Sequence, residues 1–117
     1  MFENVFADLM NIEGVNGVLI VGKDGLLIEH LLNDKSVDPE AVGAMVSTVY
    51  GSGKTVAGEV LKTDDVDMVS IETPRGKIIA IEAGDDAILG LVANNTVNLG
   101  LIRVYLKRAA EKVAKML

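Results

Sequence analysis

Asp38-Pro39-Glu40-Ala41-Val42-Gly43-Ala44-Met45-Val46-Ser47-Thr48-Val49-Tyr50-Gly51-Ser52-Gly53-Lys54-Thr55-Val56-Ala57-Gly58-Glu59-Val60-Leu61-Lys62 supports two incompatible readings, and the fold turns on the choice between them. Its centre, Gly51-Ser52-Gly53-Lys54-Thr55, ends like a phosphate-binding loop. Such a loop requires G-x-x-x-x-G-K-[ST] between a strand and a helix, so that backbone N–H groups curl around phosphates. The first glycine of that pattern falls at position 48, which is Thr48. The apolar phase decides against the loop. Val42, Val46, Val49, Gly53, Val56 and Val60 are spaced 4, 3, 4, 3 and 4 residues apart. An unbroken helix keeps that rhythm automatically, whereas a loop has no reason to keep it. Asp38 can cap the free N–H groups and Pro39 suits the first helical position, so a helix is predicted from there to about Lys62.

Two features of this helix ask for close neighbours. Each interior glycine costs about 1 kcal/mol relative to alanine, which close approach of another element offsets. No charged residue occurs from Ala41 to Gly53, although a helix covering one face of a sheet ordinarily carries charge on its outer side. Ala44, Ser47, Gly51, Thr55 and Gly58 lie away from the valine stripe. Small residues of this kind let helix axes come within about 8–10 Å. The helix is therefore expected to be covered on more than one side; the alternative is a small, polar, solvated face. Tyr50 lies beside this seam, as an interface anchor or as a core residue.

Phe2, Val5, Phe6, Leu9 and Met10 share one helical face, and Gly14 suits the stop. Strands at roughly 16–22 and 26–32 flank Lys23-Asp24-Gly25, a strong hairpin signal. Beyond the middle helix, strands are predicted at Val66–Thr73, Lys77–Ala83 and Ala87–Ala93. Pro74-Arg75-Gly76 and Gly84-Asp85-Asp86 turn between them. Asn94-Asn95-Thr96 is read as the cap of a last helix whose apolar face is Leu99, Ile102, Leu106, Ala109, Val113 and Met116. The order is helix, two strands, helix, three strands, helix: an α+β fold with an antiparallel sheet.

The 117 residues are read as a single domain, 1–117. Eleven Lys and Arg against seventeen Asp and Glu leave a net charge of −6, which argues against nucleic acid as a partner. Cysteine is absent, which removes disulfides and thiolate chemistry. No secretory leader is read at Met1, and no apolar run approaches the roughly 20 residues a membrane helix needs. Half the residues are apolar and mean hydropathy is +0.37. A chain this small does not readily hide so much apolar surface within itself, so a second copy is the expected partner; the alternative is an alanine- and valine-rich monomer.

The remaining polar groups do not assemble into chemistry. His30 is the only histidine and has no evident nucleophile or orienting carboxylate. Asp64-Asp65-Val66-Asp67 lacks the glycine of a calcium loop. Arg103, Lys107, Arg108, Lys112 and Lys115 make the C-terminal segment basic, as a helix dipole favours; an acidic partner patch is the alternative. Arg75, at a hairpin tip, is a candidate for an arginine finger or is merely surface. No catalytic set, metal cluster or cofactor site emerges, and the chain is not expected to be an enzyme.

Val15-Asn16-Gly17-Val18-Leu19-Ile20-Val21 with Lys23-Asp24-Gly25-Leu26 resembles the opening hairpin of the roadblock family, named after a dynein light chain. Asn98-Leu99-Gly100-Leu101-Ile102-Arg103 with Leu106-Lys107-Arg108-Ala109-Ala110 resembles that family's last helix. The resemblance implies a five-stranded antiparallel sheet in order 2-1-5-4-3, similar to profilin and longin folds, with the first and last helices on one face and the middle helix on the other. It implies homodimers that pair third strands edge to edge and lay middle helices side by side. Val66, Met68, Ser70, Ala44, Gly51 and Gly58 would then belong to the dimer seam. It also implies regulation of a Ras-like small GTPase in the cytoplasm, by docking on its switch regions, or else a scaffold or adaptor role. Ser47, Thr48, Tyr50, Ser52, Thr55 and Arg75 are the docking residues this reading implies.

Overall fold

Lys23-Asp24-Gly25 turns the chain as its composition predicts, and β1 (Val15–Gly22) pairs antiparallel with β2 (Leu27–Leu32). The computed structural model describes all residues, 1–117. Ahead of the hairpin lies α1 (Glu3–Met10), and Gly14 follows it with a φ of +93°, a left-handed conformation that glycine adopts without strain. After the hairpin comes α2 (Pro39–Val56), capped by Asp38, whose carboxylate accepts from the Glu40 N–H at 3.1 Å. Then follow β3 (Val69–Thr73), β4 (Gly76–Ala83), β5 (Ala87–Ala93) and α3 (Leu99–Met116). The five strands form one antiparallel sheet in the order β2-β1-β5-β4-β3. No helix is long and apolar enough to cross a membrane.

Strand alternation sends side chains to opposite faces. Val18, Ile20, Ile79, Ile81, Leu89 and Leu91 join α1 and α3 in a core of twenty buried residues. Leu19, Val21, Ala80 and Ile88 face α2 with Leu32, Val46 and Tyr50, a core of only seven. One helix covers a five-stranded face there, so apolar surface beside α2 remains open. At roughly 25 cal/mol per Å² of apolar area, the thicker core carries most of the burial energy.

The middle helical run ends at Lys62 as expected but changes type, and two other local expectations are corrected. The α-helix stops at Val56 and continues as one π-helical turn, Ala57–Leu61, ended by Lys62 in the left-handed conformation at φ 58°. The third strand begins at Val69 rather than Val66, because Asp64, Asp65 and Asp67 favour turn structure and Thr63 closes a turn by accepting from the Asp65 N–H at 3.0 Å. Val66 and Met68 thus lie in the connection ahead of the strand. The cap of α3 is Asn98, which accepts from the Leu101 N–H at 3.0 Å, while Asn94 closes a turn with Thr96. Val97 and Ile102, both buried in the larger core, flank that cap as a hydrophobic staple.

Candidate interaction surface on the middle helix

The apolar phase is helical, but it is not the centre of the buried face. Gly43, Val46, Ser47, Tyr50 and Ala57 point at the sheet. The valine stripe is rotated from them by about a quarter turn: Val42 and Val49 are half-buried, whereas Val56 and Val60 are 59% and 69% exposed. The physical reason lies in the glycines. Val46 sits over Gly90 of β5, where an added Cβ would lie 3.1 Å from Val46 Cγ1, and a Cβ on Gly53 would lie 2.7 Å from Val69 Cγ2, whereas one on Gly43 would make ordinary contact with Leu27 and Val21 at 3.4 Å. Small residues against the sheet let α2 settle closely and turn its valines sideways, toward β3.

That rotation builds an apolar groove of about 230 Å³ between α2 and the edge of the sheet. Met45 and Val49 form one wall, with Val69 and Ile71 of β3 and Ile78 of β4 opposite. Met45 is 59% exposed and Ile71 40% exposed. The β3 strand pairs only with β4, so its other edge offers a free row of backbone groups.

The outward face of α2 is small and uncharged. Ala44, Thr48, Gly51, Ser52 and Thr55 are exposed, and a Cβ at Gly51 would meet nothing within 4 Å. Thr48 and Thr55 donate their hydroxyls to the carbonyls of Ala44 and Gly51 at 2.9 and 3.0 Å, which leaves their methyl groups at the surface. Gly58 is half-buried, with only the Thr63 carbonyl near its Cβ position, at 4.0 Å. The close approach foreseen for Gly51 and Gly58 therefore belongs, within one chain, to Gly53 against Val69 and to Gly90 beneath Val46.

Two expected docking residues are interior. Tyr50 is 2% exposed and Ser47 9% exposed. Tyr50 donates its hydroxyl to the Glu82 carboxylate at 3.2 Å, and Ser47 donates to the Lys23 carbonyl at 3.3 Å. Glu82 also accepts from the Lys23 ammonium at 2.9 Å and has the Lys54 ammonium at 3.6 Å. This cluster ties α2 to β4 and to the β1–β2 turn. The Lys23 hydrogen bond holds the Glu82 carboxyl below its ordinary value, against partial burial. Burial first, and the Glu82 charge second, push the Tyr50 hydroxyl up to about 12. The lysine of the apparent phosphate loop is thus turned toward the sheet, and residues 51–55 are continuous helix.

The other seam and docking residues separate. Ser70 is exposed on β3. Val66 packs against the α2 side of the sheet and Met68 against the opposite core. Arg75 is exposed at the β3–β4 tip, which Asn95 holds by donating to the Thr73 and Pro74 carbonyls at 3.1 and 2.9 Å. Val69 packs on Gly53, and the tip lies six residues further along, on the order of 20 Å at strand rise. Arg75 is therefore not brought together with Ser52 and Thr55. Sequence reasoning missed Met45, Val56 and Ile71 as surface; for Val56 the signal was the charge-free valine stripe itself.

The chain is 41% identical over 116 residues to the uncharacterized protein MJ1340 of Methanocaldococcus jannaschii, covering 99% of each. Among solved structures it is similar to the gliding protein mglB of Thermus thermophilus, with a TM-score of 0.83 and 22% identity over 97% of this chain and 85% of that one. A Roadblock/LC7 domain from Streptomyces avermitilis gives 0.86 and 16% over 96% and 93%. Profilin II of Acanthamoeba castellanii gives 0.61 and 14% over 97% and 94%, which bears out the profilin-like fold. The Roadblock/LC7 domain family model matches residues 1–93, from the start of the chain to the end of β5. With that match and the strand order β2-β1-β5-β4-β3 between helices on both faces, the chain belongs to the Roadblock/LC7 family.

Proposed function

We propose that the protein is a homodimeric, non-enzymatic binding protein of the cytoplasm that docks on the switch regions of a Ras-like small GTPase and modulates GTP hydrolysis. The observation that carries this reading is the two-sided exposure of α2. Its lateral stripe and the free β3 edge form one apolar surface, suited to a second copy of the chain. Its outward face is small and uncharged, suited to close contact with another protein. Family membership supports the same assignment. In this dimer Ser70, Ile71, Met45, Val49 and Val56 line the seam, and Thr48, Gly51, Ser52 and Thr55 of both copies make a continuous docking floor.

The test combines sedimentation with nucleotide-dependent capture. The protein should sediment as a dimer. Immobilised on beads, it should retain a small GTPase from source-cell lysate more strongly with a non-hydrolysable GTP analogue than with GDP. Equal retention in both nucleotide states would favour a dimeric scaffold or adaptor, and a monomer by sedimentation would remove the reading altogether.

A further inference from the structure

The opposite face of the sheet carries an unexplained charge asymmetry. Of the eleven Lys and Arg in the chain, five lie on α3: Arg103, Lys107, Arg108, Lys112 and Lys115. That helix has a single acid, Glu111, in a protein of net charge −6. The helix dipole accounts for a cation in the last turn, which is Lys115 alone. No carboxylate lies within ion-pair distance of any of the five; the ion pairs of the chain are Met1–Glu3, Lys23–Glu82 and Lys54–Glu82.

Apolar side chains share the same surface. Leu101, Val104 and Tyr105 are 45%, 48% and 39% exposed. Tyr105, Arg108 and Lys112 follow one another at helical spacing along the flank of α3 that borders α1. Between the two helices lies a groove of about 320 Å³. Its floor is Val5, Leu9 and Ala109, and its α3 wall is Tyr105, Arg108 and Lys112. Aromatic and arginine side chains beside an apolar floor are the composition of a recognition hot spot.

We propose that this groove binds an acidic, amphipathic segment of a partner protein, with its aliphatic side chains on the Val5–Leu9–Ala109 floor and its carboxylates on Arg108 and Lys112. Charge complementarity selects this occupant, because unpaired cations attract carboxylates and raise association rates. A bilayer surface fits less well. Glu3, Asp8 and Glu13 are exposed on and just beyond α1, and Asp8 and Asn11 form the groove's other wall, so a flat anionic surface would press on carboxylates. A peptide in the groove can turn its charges to the α3 side only. The site lies across the sheet from α2 and β3, so it stays open when those elements are engaged and makes the domain a two-sided connector.

The test is selection from a phage-displayed library of random peptides of about 16 residues, long enough to span the groove, on the full chain and on the Arg108→Glu/Lys112→Glu variant. Enriched peptides should be rich in Asp and Glu with aliphatic residues interspersed. Their synthetic versions should bind the wild type roughly tenfold or more tightly than the double variant, and more weakly as salt rises. Both residues are exposed, so circular dichroism should show an unchanged fold; Tyr105→Ser should weaken the same peptides with no charge change. Failure to enrich acidic peptides overturns the proposal, as does equal binding to the variant. Binding of phosphatidylserine vesicles, or self-association abolished by the double variant, in place of peptide binding also overturns it, assigning the surface to lipid or to a second copy.

Discussion

Gly53 and Val69 meet so closely that a Cβ added to the glycine would stand 2.7 Å from Val69 Cγ2. This contact fixes the edge strand β3 against the second half of α2 and thereby shapes the apolar surface between them. Gly53→Ala gains about 1 kcal/mol of helix propensity but forces a methyl into space that a stiff, β-branched neighbour occupies, at a cost of roughly 1–3 kcal/mol. The expected net is a loss of about 1 kcal/mol and a melting midpoint lower by several degrees. Gly51→Ala has free space around it, so it should gain roughly 0.5–1 kcal/mol. Urea denaturation of both variants checks the pair; equal effects would refute the packing argument.

The Glu82 cluster gives stability a defined pH dependence. A carboxyl held below its ordinary 4.5 stabilises the fold above that value, and the contribution is lost as pH falls through the folded-state value. A phenol pushed up to about 12 stabilises the fold fully below its ordinary 10.0, and the contribution is lost as pH rises from there toward 12. Melting midpoints across pH should therefore fall at both ends. Glu82→Gln should flatten the acid limb and reduce the alkaline one, whereas Tyr50→Phe should flatten the alkaline limb and weaken the acid limb only slightly, because Lys23 is the stronger donor to Glu82. An acid limb unchanged in Glu82→Gln would show that the ion cluster does not stabilise the fold.

Much of this fold was legible from local chemistry. Asp24-Gly25 marked the first hairpin, Asp38-Pro39 marked the start of α2, and the 4-3-4 rhythm excluded a phosphate loop, in keeping with the position of Lys54 against Glu82. What escaped was rotation. Periodicity fixes that a helix has an apolar stripe, but which stripe meets the sheet depends on depth of approach, and Gly90 beneath Val46 together with Gly53 beside Val69 sets that depth. Val56 and Val60 therefore lie exposed, while Tyr50 and Ser47 lie inside. The start of β3 escaped for a related reason. Val66 and Met68 have strand character, but the aspartates around them and the pairing of Val69 with Ala80 delay the ladder.

The rotation divides α2 into a groove flank toward β3 and an outward face of small residues. Met45 and Ile71 are exposed side chains of the groove, so an aspartate at either should leave the monomer folded and, in the proposed dimer, place an unpaired charge in an apolar seam. Met45→Asp and Ile71→Asp should each raise the dimer dissociation constant roughly thirtyfold or more, measured by sedimentation. Gly51 faces away from β3, so Gly51→Glu should leave the dimer intact while weakening capture of the GTPase. If Gly51→Glu dissociates the dimer and Ile71→Asp does not, the seam runs along the outward face instead.

Arg75 separates positional catalysis from allosteric positioning of groups the GTPase already holds. An arginine finger inserted into a nucleotide site contributes on the order of 10³-fold or more in hydrolysis rate. Arg75 is exposed and has no ion-pair partner, which would suit a finger. Its hairpin, however, is held by Asn95 against the end of the sheet, away from Ser52 and Thr55 on the outward face of α2. In the docking proposed for that face, the tip stands on the order of 20 Å along the strand from the Gly53–Val69 contact. Arg75→Ala is therefore expected to change stimulated GTP hydrolysis by less than roughly threefold, far below the finger's magnitude. Single-turnover hydrolysis with the captured GTPase measures this directly. A loss approaching the finger's magnitude would place the nucleotide at the β3–β4 tip and move the docking site from the outward face of α2 to that end of the sheet.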